Sequence, residues 1–232
     1  MTRSCSTTHV SSRRRFEGLY GRLYDLVIRS RRLRRAAFSV WGSADPLYEL
    51  EAFVTDAADA ARLRSTSPVL VDVPCGGGTL LPFLARDAFD GTVLEIDIAT
   101  SMLDRAVTSY RTTTPRPTAH FLQGDALDLP LRAAVADVVV SVNGLHVVPD
   151  HARFLAELAR VTPTGGMLWL ITPVDGQSLR SRLILAAARR LAVTPRRPPT
   201  LAELHRLLEE AGFEVVRSYG GASITGLACV RT

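Results

Sequence analysis

Val69-Leu70-Val71-Asp72-Val73-Pro74-Cys75-Gly76-Gly77-Gly78, followed by Thr79-Leu80-Leu81-Pro82-Phe83-Leu84-Ala85, is a short apolar run that ends in glycines and turns at once into an apolar-periodic segment. That order is a buried strand, a tight loop and a helix start, the arrangement that cradles nucleotide-type ligands in α/β proteins. Glycine lacks Cβ, so such a loop takes backbone angles barred to other residues and lets a ligand lie against the main chain. A glycine cluster alone also fits an ordinary turn, so the flanking sequence must decide.

Downstream, strand and helix patterns alternate, which implies a mostly parallel sheet with helices on both faces. Strands are expected at residues 69–73, 92–97, 119–122, 137–142 and 167–172, with helices at 79–87, 100–110 and 150–161 between them. The β-branched run before Val142 suits a central, fully buried strand. Thr200, with Glu203 three residues on, is a capping box that starts a helix over 200–211. Strands at 213–217 and 223–230, joined through Gly220-Gly221, close the sheet at seven. The interval 175–199, with helical periodicity over 179–191, reads as an insertion over the site.

Upstream, Ser43-Ala44-Asp45-Pro46 marks a helix start, with Asp45 as N-cap, Pro46 at the first helical position and the helix running through Leu63. Residues 16–38 carry Phe16, Leu19, Leu23, Leu26, Val27 and Leu33 at helical spacing, with arginines on the other faces. The division expected is a disordered tail and helical lid over 1–66 and a Rossmann-like domain over 67–232. Tyr20 and Tyr24 fall in the lid, as packing aromatics or as residues reaching toward substrate.

At 232 residues and 47% hydrophobic content the chain can bury one sizeable core. The N-terminus lacks the apolar core of a signal peptide, and no run approaches the roughly 18 apolar residues of a membrane span. Three widely spaced cysteines fit reduced thiols and a cytoplasmic setting. All basic residues are arginine, and ten of them fall in the first 40 residues against Glu17 and Asp25. The positive charge is therefore local, and is a poor argument for nucleic-acid binding. It leaves peripheral membrane contact open, and the oligomeric state is not legible.

Three further stretches follow strand ends, where open α/β sheets bind ligands. Asp97 suits a carboxylate that accepts two ribose hydroxyls, Gly124-Asp125-Ala126 suits an adenine edge, and Asn143-Gly144-Leu145-His146 follows the fourth strand. Together with Leu70 to Gly78, Asp97 to Leu103, Gly124 to Pro130, Leu145 to Asp150 and Leu158 to Gly166, the chain resembles the class I S-adenosylmethionine-dependent methyltransferases. Within them it resembles the small-molecule, methyltransferase type 11 group that includes quinone- and menaquinone-biosynthesis enzymes.

The resemblance implies a Rossmann-like fold and S-adenosyl-L-methionine as cofactor. It implies that Gly76 and Gly78, with Pro74 and Cys75 in the same loop, meet the methionine part. Asp72 orients that loop, Asp97 holds the ribose with Ile98 and Met102 nearby, and Asp125 with Ala126 holds the adenine. Asn143 adds a contact after the fourth strand, without the Pro-Pro-aromatic sequence of adenine N-methyltransferases. Pro74 departs from the usual first glycine and Glu95 from a usual small or apolar residue. Glu95 and Asp97 face the same side of their strand, and either repel or share the ribose.

The reaction implied is direct displacement onto a small-molecule acceptor, with alignment as the protein's main task. Where the acceptor arrives protonated, His146 is the best-placed base; packing at the strand-to-helix junction is its alternative role. The alternatives for the whole chain are a nicotinamide-dependent oxidoreductase, disfavoured by the lack of G-x-G-x-x-G spacing, and a non-catalytic S-adenosylmethionine-binding protein. No metal site is expected.

Overall fold

A computed structural model of the chain describes residues 46–175, 197–220 and 224–232. The lid segment with Tyr20 and Tyr24, most of the 175–199 insertion and the tip of the last hairpin lie outside the described residues. The elements are α1 (Pro46–Arg64), β1 (Val69–Asp72), α2 (Leu81–Arg86), β2 (Thr92–Asp97), α3 (Thr100–Thr112), β3 (Thr118–Gln123), β4 (Val138–Val142), α4 (His151–Val161), β5 (Met167–Pro173), α5 (Leu201–Glu210), β6 (Phe213–Gly220) and β7 (Ile224–Arg231).

They form a seven-stranded sheet in the order β3-β2-β1-β4-β5-β7-β6. The first five strands in that order are parallel, and β7 runs antiparallel between β5 and β6. The expected Rossmann-like, mostly parallel sheet is therefore observed. β1 and β4 are central and largely buried, whereas β3 at one edge is half exposed.

Alternation along the strands divides the core between the two faces. Val71, Ile96 and Val139 face Phe154, Leu155 and Leu158 of α4 and Leu204 and Leu208 of α5. On the opposite face Leu70, Val93, Val138 and Val140 meet Leu81 and Leu84 of α2 and a row from α1: Phe53, Val54, Ala57, Ala58 and Ala61. That row is one helical stripe, and every member has zero exposure. Phe53 also packs edge-on to Trp169 and Tyr219, at centroid distances of 5.2 and 5.5 Å. The Tyr219 hydroxyl and Arg217 both donate to Asp56 at 2.8 Å, clipping α1 to β6.

Of the two caps read from the sequence, Asp45 lies outside the described residues and Thr200 is observed. Asp150 accepts from the Arg153 amide at 3.0 Å, and Thr200 and Glu203 form both hydrogen bonds of the capping box. α2 starts at Leu81 rather than Thr79, because the backbone up to Gly78 is spent on a turn in which the Gly78 amide donates to the Cys75 carbonyl. β4 starts at Val138, one residue later than expected, and just before it the Asp137 carboxylate accepts from the Val69 amide at 2.9 Å. β6 runs on to Gly220 through a bulge between Val215 and Arg217, carried by its pairing with β7.

Candidate functional site

β1, β2, β3 and β4 deliver their following loops to one end of the sheet, and hydrogen bonds lace those loops together. The Cys75 amide donates to the Ile96 carbonyl at 2.8 Å, and the Gly124 amide to the Asp97 carbonyl at 3.1 Å. Asp97 Oδ2 accepts from the Gly76 amide and Oδ1 from the Ala99 amide, both at 2.9 Å. α4 steadies the far side: Arg153 Nε donates to the Leu127 carbonyl, and Arg160 to the carbonyls of Leu129 and Leu131.

Gly76 and Gly78 both have positive φ, +54° and +72°. Their surroundings differ. A Cβ on Gly78 would lie 2.9 Å from Leu81 Cδ1 and 3.0 Å from Ala106 Cα, whereas one on Gly76 would meet nothing within 4 Å. Gly78 is therefore needed for packing, and Gly76 leaves open the space in front of its own backbone.

That space is a cavity bounded by Pro74 and Gly76 after β1, Asp97, Ile98 and Met102 after β2, and Asp125, Ala126 and Leu127 after β3. Val142, Asn143 and the run from His146 to Pro149 close it after β4. Of the residues expected at the site, Pro74, Gly76, Asp97, Ile98, Met102, Asp125, Ala126, Asn143 and His146 share this one cavity. Asp72, Cys75 and Gly78 are not in its walls: Asp72 and Cys75 are nearly buried, at 2% and 4% exposure. Val147, Val148 and Pro149 are wall residues that sequence reasoning did not single out. Their signal is the apolar run between the β4 exit and the Asp150 cap.

Asn143 takes a left-handed backbone, φ 57°, while its amide donates to the Ile171 carbonyl at 2.8 Å. Asparagine tolerates this conformation better than most residues. Asp125 Oδ1 accepts from the Leu127 amide at 2.9 Å, which holds the carboxylate beside the cavity.

The charges at this end of the sheet are mostly acidic. Burial raises the Asp97 carboxyl, and amide donors from Ala99, Gly76 and Ile98 pull it back. Asp72 and Glu95 are register partners across β1 and β2. Burial, then the charges of Glu95 and Asp97, push Asp72 well above the usual carboxylate range. Glu95 has zero exposure, and neither of its oxygens has a partner at hydrogen-bond geometry, although the Cys75 thiol lies close enough to lower its carboxyl. The Cys75 thiol donates to the Gly76 carbonyl at 3.6 Å, and burial together with the surrounding carboxylates raises it well above its ordinary value. It is not a nucleophile at neutral pH. His146 Nδ1 is sealed from solvent without a hydrogen-bond partner, and burial, followed by the neighbouring His151, lowers its pKa to about 4. Among the described residues no group of three or more His, Cys, Asp or Glu is placed to hold a metal ion.

A parallel sheet with a glycine turn after β1, an acid closing β2 and a second acid after β3 defines a Rossmann-like methyltransferase fold. Residues 71–170 match the family model for the methyltransferase domain. A probable S-adenosylmethionine-dependent methyltransferase of Mycolicibacterium smegmatis is 32% identical over 161 residues, 68% of this chain and 57% of that protein. An O-methyltransferase of Penicillium expansum is 29% identical over 149 residues, 63% of this chain and 52% of that protein. The magnesium protoporphyrin IX methyltransferase of Synechocystis, in a crystal structure with bound S-adenosylmethionine, superposes over 100% of both chains with a TM-score of 0.69 at 15% identity, a likeness of fold. Over these matched residues the chain is similar to the class I S-adenosylmethionine-dependent methyltransferases. It spans about half the length of the Mycolicibacterium and Penicillium relatives, 57% and 52%.

Proposed function

We propose that the chain is an enzyme that transfers the methyl group of S-adenosylmethionine to a small, partly apolar acceptor by direct displacement. The observation that carries this reading is the convergence of Gly76, Asp97, Asp125 and His146 from four successive strand ends on one cavity. The match of residues 71–170 to the methyltransferase domain model favours it over the nicotinamide-dependent and non-catalytic alternatives.

The residues present fit the cofactor. The open space before Gly76 is a cradle that a side chain would fill, Asp97 offers acceptors for ribose hydroxyls, and Asp125 beside Ala126 suits an adenine edge. When bound, S-adenosylmethionine supplies an electrophilic methyl group on sulfur. The protein's own share is alignment and exclusion of water. Val142, Val147, Val148 and Pro149 give the remaining wall an apolar character that suits a phenol, a quinone precursor or a similar metabolite. His146, kept neutral by burial, takes the proton of an acceptor hydroxyl.

Among the described residues no helix is long and apolar enough to cross a membrane. A cytoplasmic setting belongs to the same proposal and is supported by the free, buried thiols of Cys75 and Cys229. So does peripheral membrane contact through the arginine-rich segment, which would serve an acceptor carried in lipid.

The test is calorimetry of the full chain with S-adenosylmethionine and its demethylated product, followed by transfer of labelled methyl into an extract of the source cells. Binding of both ligands and one labelled small molecule is the expected result. A folded protein that binds neither ligand overturns the reading.

A further inference from the structure

Among the described residues, Glu95 is a fully buried carboxyl group next to the site to which the methyl-transfer reading gives no task. It stands on β2 where the sheet face turns under the glycine loop. Asp72 is its register partner on β1, and Asp97 lies two residues on along the same face. Cys75 covers it from the loop, and the thiol belongs to an apolar cluster with Leu103 and Ala106 of α3 and Phe121 of β3. The titratable groups that face Glu95 are thus Asp72, Cys75 and Asp97, and what α3 and β3 add here is apolar. Arg105, the arginine of mid-α3, directs Nη1 to Met102 Sδ at 3.8 Å. None of the ion pairs among the described residues includes Asp72, Glu95 or Asp97.

Three carboxyl groups packed with no cation paired to them among the described residues, one of them with both oxygens lacking a partner of hydrogen-bond geometry, cannot all be ionised. At least one proton must stay. Burial raises both Asp72 and Glu95, Glu95 to about 8 against the lowering effect of the Cys75 thiol and with the charge of Asp97; of the two, Glu95 has both oxygens sealed without a partner of hydrogen-bond geometry and Asp72 has no such orphaned oxygen, so Glu95 is the one placed to keep it. The loop above it, Cys75 to Gly78, is the segment that the family resemblance assigns to the methionine part of the cofactor. That part carries a fixed positive charge on sulfur in S-adenosylmethionine and none on sulfur in the demethylated product.

We propose that Glu95 is a charge-matching residue: an acid in the free protein, it gives up its proton to solvent when the sulfonium form of the cofactor settles over the glycine loop, and keeps it when the neutral sulfide does. The site thereby holds methyl donor in preference to spent product. This rests on the methyltransferase reading, and its test separates the two.

The experiment is calorimetry of the full chain at about pH 7, repeated in buffers of low and high ionisation enthalpy, with each of the two ligands. The enthalpy difference between buffers counts protons released. Any contribution of the amino acid portion, common to both ligands, cancels in the comparison. The expected result is proton release with S-adenosylmethionine and little with the product. The donor-to-product affinity ratio should rise with pH by up to about tenfold per unit below pH 8. In Glu95→Gln the difference in release disappears and the ratio becomes flat with pH. Glu95→Ala, which leaves the usual kind of small residue of the family, stands in if the amide does not fold. Equal release with both ligands in the natural protein, or a pH-dependent ratio that survives in the variant, overturns the proposal while leaving the methyltransferase reading intact. Failure of a folded protein to bind either ligand overturns both.

Discussion

Asp97 Oδ2 and the Gly76 amide are 2.9 Å apart, so the carboxylate that closes β2 also fastens the loop that follows β1. One side chain shapes the cradle and lines the cavity. Asp97→Ala is expected to lose both functions. Hydrogen bonds to a charged acceptor contribute about 1.5–3 kcal/mol each, so denaturant unfolding should show a loss of that size and cofactor binding should weaken at least tenfold. A variant that loses affinity at unchanged stability would show that the tether carries no load.

The two left-handed glycines should fail differently. Gly78→Ala forces a Cβ against Leu81 and Ala106 and is expected to lower stability by about 2 kcal/mol or more. Gly76→Ala meets no neighbour and should cost only the backbone term of about 1–2 kcal/mol. Its methyl group enters the space left for the ligand, however, so its larger effect should be on cofactor affinity. Urea titration and calorimetry on both variants give the comparison, and equal loss of affinity at equal stability would contradict it.

His146 is held neutral, and the sign of its shift sets the pH profile. Burial disfavours the imidazolium, so the basic form persists as pH falls to about 4 instead of giving way near the ordinary value. The acid limb of kcat/KM assigned to this group should lie well below pH 6.5. His146→Gln should lower kcat by about 10²–10⁴ with cofactor affinity little changed. A limb near the ordinary histidine value, or an unaltered kcat, would leave His146 a packing residue.

The free protein should lose stability toward alkaline pH because of Glu95. Its folded pKa is raised from 4.5 to about 8, so the contribution is present in full below the unfolded value and is lost as pH rises through the folded one. The slope is up to about 1.4 kcal/mol per pH unit. Chemical denaturation at about pH 5 and pH 9 should therefore show a gap of a few kcal/mol that shrinks in Glu95→Gln. An identical gap in the variant would assign the loss to other groups.

Much of the fold was legible because its signals are local. Thr200, with Glu203 three residues on, announces a helix, and the same side chains make that cap. The glycine cluster and the acids after β2 and β3 mark strand ends, which parallel topology brings to one edge. What depended on distant pairing was less legible: β6 extends to Gly220 because β7 lies beside it, and the Asp137 carboxylate accepts from an amide on the neighbouring strand. Within the site, sequence order placed Asp72 and Cys75 with the cofactor loop, and both are buried outside the cavity lining. The parity of Glu95 and Asp97 showed that they share a face, but not that one opens on the cavity while the other is closed off beneath Cys75.

The zero-exposure stripe of α1 bears on where this domain begins. A boundary drawn before β1, at residue 67, follows the family pattern yet removes Phe53, Val54, Ala57, Ala58 and Ala61 from the side of the sheet shared with α2. A fragment that starts there would bare Leu70, Val138, Val140 and Trp169 to water, an adhesive apolar surface. For expression or crystallisation, shortened versions should therefore retain everything from Pro46 onward. A protease cut in the link between Arg64 and Val69 should leave two pieces that remain associated.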